Sequence, residues 1–170
     1  MQMYKVGAEG KIPIPHEPIL YRWWFPEDST ALKTLRAHAR RDIHLDSLLR
    51  QVETRKMEGK MYYALYFGKS NNGYRRYCQH ATGNVHISTL RHTLYGLCIG
   101  NEYNKAQEPQ ITDMLRQCYC EWFDFSKEGS LVECVESICI ALGYYPLNVD
   151  GNPAISEEWL NTLMSKRKID

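Results

Sequence analysis

Along this chain, hydrophobic positions recur with two different periods, and the switches between them mark the elements. The run ILYRWWF at 19–25 is dense in aromatic and branched side chains and stops at Pro26, which predicts a strand. At 31–41, Leu32, Leu35 and Ala39 fall at helical spacing behind Asp28-Ser29 or Thr30 as the cap. A second helical stretch at 46–52 follows Asp46. After a turn at 56–60, MYYALYF at 61–67 predicts another strand, broken by Gly68 and the cluster Asn71-Asn72-Gly73. Short helices are predicted at 74–81, from Ser88 or Thr89 to Leu97, and at 109–117. CYCEWFDF at 118–125 reads as a third strand with alternating polar and aromatic positions. Ser130 is the expected cap of a helix at 131–142, with Val132, Val135, Cys139 and Leu142 as its apolar stripe and Gly143 ending it. A last amphipathic helix starts at Ser156 and ends in Lys166-Arg167-Lys168, where the helix dipole favours positive charge.

These elements predict an α+β fold, a small, mainly antiparallel three-stranded sheet flanked by helices. No repeat or linker divides the chain, so one domain is expected over 1–170. Within it, 1–18 is an extended lead-in, 26–57 and 82–117 are helical insertions, and 154–170 is a C-terminal helix. A hydrophobic content of 44% and a charged content of 24% fit a soluble globular protein. The formal net charge of +1 excludes a global positive field, so any contact with nucleic acid must rest on local patches. The six cysteines contain no CxxC pair; they read as reduced, mostly buried thiols, with zinc as the alternative. No apolar leader-like segment and no run of membrane-spanning length occur, which predicts a cytoplasmic chain without membrane contact.

The candidate chemistry lies at Tyr66-Phe67-Gly68-Lys69-Ser70, followed by Arg76 and His80. Arg76 and His80 are four apart, so one helical face carries both, pointing back towards the tyrosine. A phenol, a guanidinium and an imidazole together can handle a phosphate and a proton. Taken singly, each has a plainer reading: Tyr66 packing beside Tyr62, Arg75 and Arg76 as solvated helix charges, Glu133 and Glu136 on the exposed edge of a helix.

The ordered set resembles the GIY-YIG endonuclease family. YFGKS stands where that family has YIGKS or YVGKA, and Gly73-Tyr74-Arg75-Arg76-Tyr77 occupies the place of its arginine-bearing helix opening. Glu136, with Asn148 twelve residues later, matches the family's late glutamate and asparagine. Pro18-Ile19-Leu20-Tyr21 resembles the proline-led first motif but lacks its glycine, and Tyr21 lies 45 residues before Tyr66. A short hairpin would instead put Arg55 or Lys56 in the first tyrosine's place, and neither does a phenol's work, so Tyr21 is favoured.

The resemblance implies hydrolysis of DNA phosphodiester bonds with one divalent cation, Mg²⁺ or Mn²⁺, held by Glu136. Arg76 would stabilise the phosphoryl oxygens. Tyr66 would act as general base or water-positioner, its phenol acidified by nearby cations; Tyr21 would orient the assembly and His80 relay a proton or contact phosphate. Lys69, Arg75, Arg91 and Asn148 are the expected nucleic-acid contacts, with Trp23 and Trp24 as possible stacking platforms. The rival reading is a catalytically weak or inactive domain of this type that binds nucleic acid or protein. Oligomeric state is open.

Overall fold

The computed structural model describes residues 2–127, 131–149 and 152–168; the expected cap Ser130 lies outside them. In chain order the elements are β1 (Gln2–Lys5), β2 (Ile19–Pro26), α1 (Thr30–Ala39), α2 (Ile43–Gln51), β3 (Thr54–Met57), β4 (Lys60–Ser70), α3 (Gly73–Ala81), α4 (Thr89–Cys98), α5 (Glu108–Arg116), β5 (Tyr119–Asp124), α6 (Val132–Leu142) and α7 (Glu157–Lys166). Caps set several of the boundaries. Ser29, Asn72, Ser88 and Ser156 each accept a backbone N–H from the first turn of α1, α3, α4 and α7. Asp42, not Asp46, caps the second helix, because its carboxylate accepts both His44 N–H and Leu45 N–H. Gly143 follows α6 in extended backbone rather than as a left-handed cap.

The sheet has five strands, in the order β1-β5-β2-β4-β3, and every pairing is antiparallel. The expected three-stranded sheet is therefore extended at both edges. The lead-in is not merely extended, since Gln2–Lys5 pairs with 119–122 of β5. The first insertion also ends in a strand: Thr54–Met57 turns through Glu58 and Gly59, both at positive φ, into β4. Both added strands are four residues long and mostly half-buried or exposed, so neither presents the apolar run that marks an inner strand.

β2 is central and buried throughout. Its side chains alternate, with Ile19, Tyr21, Trp23 and Phe25 in the main core and Leu20 and Trp24 in a second core on the other face. The pairing with β4 slips between Trp23 and Trp24: Trp23 opposes Tyr66, whereas Trp24 opposes Ala64. Leu65 is thus an extra residue, a β-bulge, and both Leu65 and Tyr66 enter the main core. The bulge is what places Tyr66 on the same face as Tyr21.

Helices α1, α3, α4, α5 and α7 pack around the main core, while α6 covers the second face against β2 and β4. Leu142, expected in the apolar stripe of α6, is 76% exposed. The second face also buries a charged network. Glu121, 0% exposed, accepts from Arg22 Nε, from Trp24 Nε1 at 3.0 Å and from Arg55 Nη1 at 3.1 Å. Both guanidinium groups stack on Trp24, at 4.7 Å each. Cys118 and Cys120 are buried free thiols, and no three His, Cys, Asp or Glu side chains cluster to hold a metal among the described residues. No helix among them is long and apolar enough to cross a membrane.

Candidate active site

Tyr21 lies opposite Gly68 in the β2–β4 ladder, and Gly68 does not break the strand, which continues to Ser70. A Cβ at position 68 would sit 2.7 Å from the Tyr21 hydroxyl oxygen. The glycine therefore gives the phenol its place across the strand. Next, the lead-in fixes the start of α3: Gly73 N–H and Tyr74 N–H donate to the carbonyls of Glu17 and Pro15. One turn into α3, Arg76 and His80 face the sheet, as their spacing predicts.

His80 is wholly buried, its Nε2 2.9 Å from the Tyr21 hydroxyl and its Nδ1 2.6 Å from Ser88 Oγ, the cap of α4. The ring of His80 lies 5.4 Å from that of Tyr21 and 5.8 Å from that of Tyr66, and the two phenol rings are 6.4 Å apart. Burial sets the charge states. It holds the His80 imidazole down at about 3, helped by the positive charges of Arg76 and Arg91. It raises the Tyr21 phenol well above its ordinary value, with the Tyr66 phenol adding to the effect. Tyr66 is raised as well, because burial outweighs the opposing pulls of Thr89, Arg167, Arg76 and Tyr21. The expected acidification of Tyr66 is therefore reversed. Lys69 takes no part in it, since Lys69 lies on the other face and pairs with Glu133 at 2.7 Å and Glu136 at 3.7 Å.

Beyond the end of β3, the outer edge of β4 is met by the segment after α6. Leu147 N–H donates to Leu65 O, and the Asn148 side chain closes a two-way bridge, accepting from Phe67 N–H at 2.9 Å and donating to Phe67 O at 2.8 Å. A cleft of about 370 Å³ opens beside this edge, lined by Tyr66, Thr89, Glu136, Asn148 and Arg167 among others. Although α6 packs on the opposite face from the tyrosines, Glu136 reaches the same cleft around the edge of β4. Its side chain is 20% exposed, against 78% for Glu133. Burial raises the Glu136 carboxyl above its ordinary value, opposed by Lys69. A single inward carboxylate is a fitting hard-oxygen ligand for a partly hydrated divalent cation.

A family model described as the GIY-YIG catalytic domain matches residues 19–169. The chain belongs to the GIY-YIG family. No curated protein and no solved structure matches it. The family is generally one of nucleases, so a hydrolase acting on nucleic acid is the broad class to which this GIY-YIG chain is assigned.

Within the GIY-YIG domain, the structure brings Tyr21, Tyr66, Arg76, His80 and Glu136 around one corner of the sheet. Arg76 has its Nε buried without a hydrogen-bond partner among the described residues. Arg75, its neighbour, is exposed. Other expectations change. Arg91, 1% exposed, is not in a surface groove; it donates to the carbonyls of His80 and Ala81 and to Thr112, tying α3 to α4 and α5. Trp23 and Trp24 are fully buried and cannot stack on bases. Both polar atoms of the Asn148 amide are engaged by Phe67, which makes it an edge clamp rather than a free contact. His80 is too deep to touch phosphate. Arg55, the rival for the first tyrosine's place, belongs to the Glu121 network instead. Sequence reasoning missed Ser88, Thr89 and Arg167; only the helix-opening pattern at 88–89 pointed towards any of them.

Proposed function

We propose that this GIY-YIG domain is a metal-dependent endonuclease that hydrolyses DNA phosphodiester bonds. The observation that carries the reading is the shared cleft, which a phenol from β4 and a carboxylate from α6 both line beside the edge of β4. Glu136 would hold Mg²⁺ or Mn²⁺, which when bound supplies Lewis-acid polarisation of the phosphate and stabilises the leaving 3′ oxygen. Arg76, permanently charged and with a buried, unpartnered Nε, would place its guanidinium on the phosphoryl oxygens. Burial keeps the Tyr66 phenol protonated at neutral pH, which favours positioning the attacking water over acting as a resting base. Tyr21 and neutral His80 hold that phenol's surroundings through a chain of hydrogen bonds ending at Ser88. One domain, cytoplasmic and in contact with DNA, goes with this reading: β1 belongs to the same sheet as the motif strands, and α7 packs on α4.

A plasmid-nicking assay with Mg²⁺ or Mn²⁺ tests it. Wild type should cut, and Glu136→Gln, Tyr66→Phe and Arg76→Ala should each lose roughly 10²-fold or more in rate. Equal cutting by all three variants would refute the site assignment. The raised Tyr66 phenol and the Lys69 ammonium beside Glu136 favour a second reading, a weak or inactive domain that binds nucleic acid or protein. Clean protein that binds DNA and never cuts it would put that reading first.

A further inference from the structure

The formal net charge of +1 conceals a segregation along the chain. Residues 30–41, which are α1 and the two positions after it, contain Lys33, Arg36, Arg40 and Arg41 and no acidic residue, so the rest of the chain is acidic overall. Leu32, Leu35 and Ala39 turn one side of α1 into the main core. The four cations recur at i, i+3, i+7 and i+8 on the side away from it, and all four are exposed. Grooves flank this ridge. One of about 440 Å³ is lined by Lys33, Ala37 and Arg41 among others, and one of about 390 Å³ by Arg36, Arg40 and Tyr63 among others. The acidic side chains nearest in sequence are engaged elsewhere: Asp28 pairs with Lys60, Asp42 caps α2, and Asp46 pairs with Arg50. None of the four cations forms an ion pair among the described residues. Like charges one turn apart weaken a helix, and here Lys33, Arg36 and Arg40 follow one another at such steps. The helix dipole accounts for Arg40 and Arg41 at the C-terminal end but not for Lys33 near the start. A stripe of one sign, unneutralised from within, fits a partner that brings the anions.

We propose that the basic ridge of α1 docks the phosphate backbone of a DNA duplex and holds the substrate beside the catalytic cleft. The choice of DNA rests on the nuclease reading above. Position supports it. Arg36 lies on Tyr63, donating from Nη2 to the phenol oxygen at 3.1 Å with its guanidinium 5.4 Å from the ring centre. Tyr63 and Tyr66 pack against the same core and are three residues apart on β4, about 10 Å of strand. The ridge and the candidate phenol thus share one face of the sheet, within the reach of a single duplex. On the other flank, burial and then the positive charges of Lys166 and Arg41 hold the His38 imidazole below its ordinary value, which sets Lys166 beside the ridge. Lys166 also abuts α4, where a Cβ at Gly96 would lie 1.7 Å from its carbonyl oxygen, and Thr89 at the start of α4 lines the cleft. From Lys33 to Arg41 the ridge runs about 12 Å, the rise of roughly three to four nucleotides of B-DNA. An anionic membrane is a poorer fit, because a helix that lies on lipid inserts an apolar face. That face of α1 is already inside the core, and Ile43, exposed at the start of α2, is one side chain rather than a face.

The test is binding of a fluorescein-labelled DNA duplex in EDTA, followed by anisotropy over a series of salt concentrations, alongside plasmid nicking with Mg²⁺. Ala37→Glu sets a carboxylate in the middle of the ridge, four residues from both Lys33 and Arg41. It should hold or raise the melting temperature by pairing within the helix, yet weaken DNA binding roughly 10²-fold at about 0.1 M salt. Replacing Lys33, Arg36, Arg40 and Arg41 together by glutamine should shrink the slope of log-affinity against log salt by about 2–4. It should also raise the DNA concentration needed for half-maximal nicking by more than it lowers the rate at saturation. Replacing the three arginines by lysine keeps the charge and should keep the slope. If the glutamine variant does not fold, Ala37→Glu decides. An unchanged slope in the glutamine variant, or unchanged affinity in Ala37→Glu, overturns the proposal, and nicking by wild type then leaves the nuclease reading standing. Wild type that binds through these four cations and never cuts supports the ridge and sinks the nuclease reading. Wild type that binds no DNA but sediments with vesicles of phosphatidylserine and phosphatidylcholine, and is released by the glutamine substitutions, overturns the proposal in favour of a membrane.

Discussion

Replacing His80 by glutamine should flatten the acid limb of this protein's stability curve. In the unfolded chain the imidazole takes up a proton near pH 6.5, whereas in the folded protein burial and the two nearby arginines hold it at about 3. Between those values the unfolded state binds the extra proton, so the histidine undercuts the folded state as pH falls below 6.5 and costs nothing above it. The expected slope is about 1.4 kcal/mol per pH unit, or roughly 2–3 kcal/mol between pH 6.5 and pH 4.5. His80→Gln removes this titration while keeping polar atoms for Tyr21 and Ser88. It will lower stability at every pH through imperfect packing, but its dependence on pH should be shallower than that of wild type by the stated slope. Urea unfolding of both proteins from pH 7.5 to 4.5 measures the difference. Glu136, whose carboxyl is raised, works in the opposite direction, since the folded state then gains a proton first; that contribution is common to both proteins and cancels. Parallel curves, or an imidazole that titrates near 6.5 by NMR, would refute the reasoning. The same burial predicts that the rate of cleavage shows no histidine limb between pH 5 and 8.

Three other substitutions probe different supports of the site. Gly68→Ala places a methyl group 2.7 Å from the Tyr21 hydroxyl, which must move off His80; a loss of about 1–3 kcal/mol in urea unfolding, with reduced nicking, is expected, and an unperturbed stability would show that the phenol is not held there. Glu121→Gln leaves Arg22 without its buried counter-charge and should cost about 3–5 kcal/mol, whereas a cost below about 1 kcal/mol would mean that the network rearranges around water. Asn148→Ala strands Phe67 N–H and C=O at the strand edge and should destabilise by about 1–3 kcal/mol while leaving the salt slope of DNA binding unchanged; a slope reduced by about one would restore Asn148 as a phosphate contact.

The parts of this molecule that were legible in its sequence are those governed by local geometry. Arg76 and His80 share a face because a helix repeats every 3.6 residues, and that follows from spacing alone. The distance from Glu136 to Asn148 sets Glu136 apart from Glu133 in the sequence, and both Glu136 and Asn148 line the cleft. The parts that stayed hidden depend on which distant segment lies next to which. QMYK has no apolar run to announce β1, whose existence rests on β5 being its neighbour. Arg91, Trp23 and Trp24 carry the residue types of a nucleic-acid groove but lie inside the core, and only packing decides between those positions. The sign of the Tyr66 shift is hidden for a similar reason, as it is a contest between burial and cations that spacing does not measure. Arg167 looked like a dipole-compensating helix end, and its route into the cleft depends on a contact between Gly96 and Lys166 that no local pattern reveals.

The sheet order has a consequence for how the protein is made. β1 precedes every other strand described, yet its only partner is β5, so it leaves the ribosome long before it can pair. Tyr21, Tyr66 and His80 are likewise translated well ahead of Glu136 and of Asn148, which bridges the edge of β4. A chain interrupted between α3 and α6 holds both phenols and the imidazole but has neither the carboxylate nor the closed strand edge. The chemistry proposed for this cleft is thereby confined to molecules completed beyond α6, as far as Asn148.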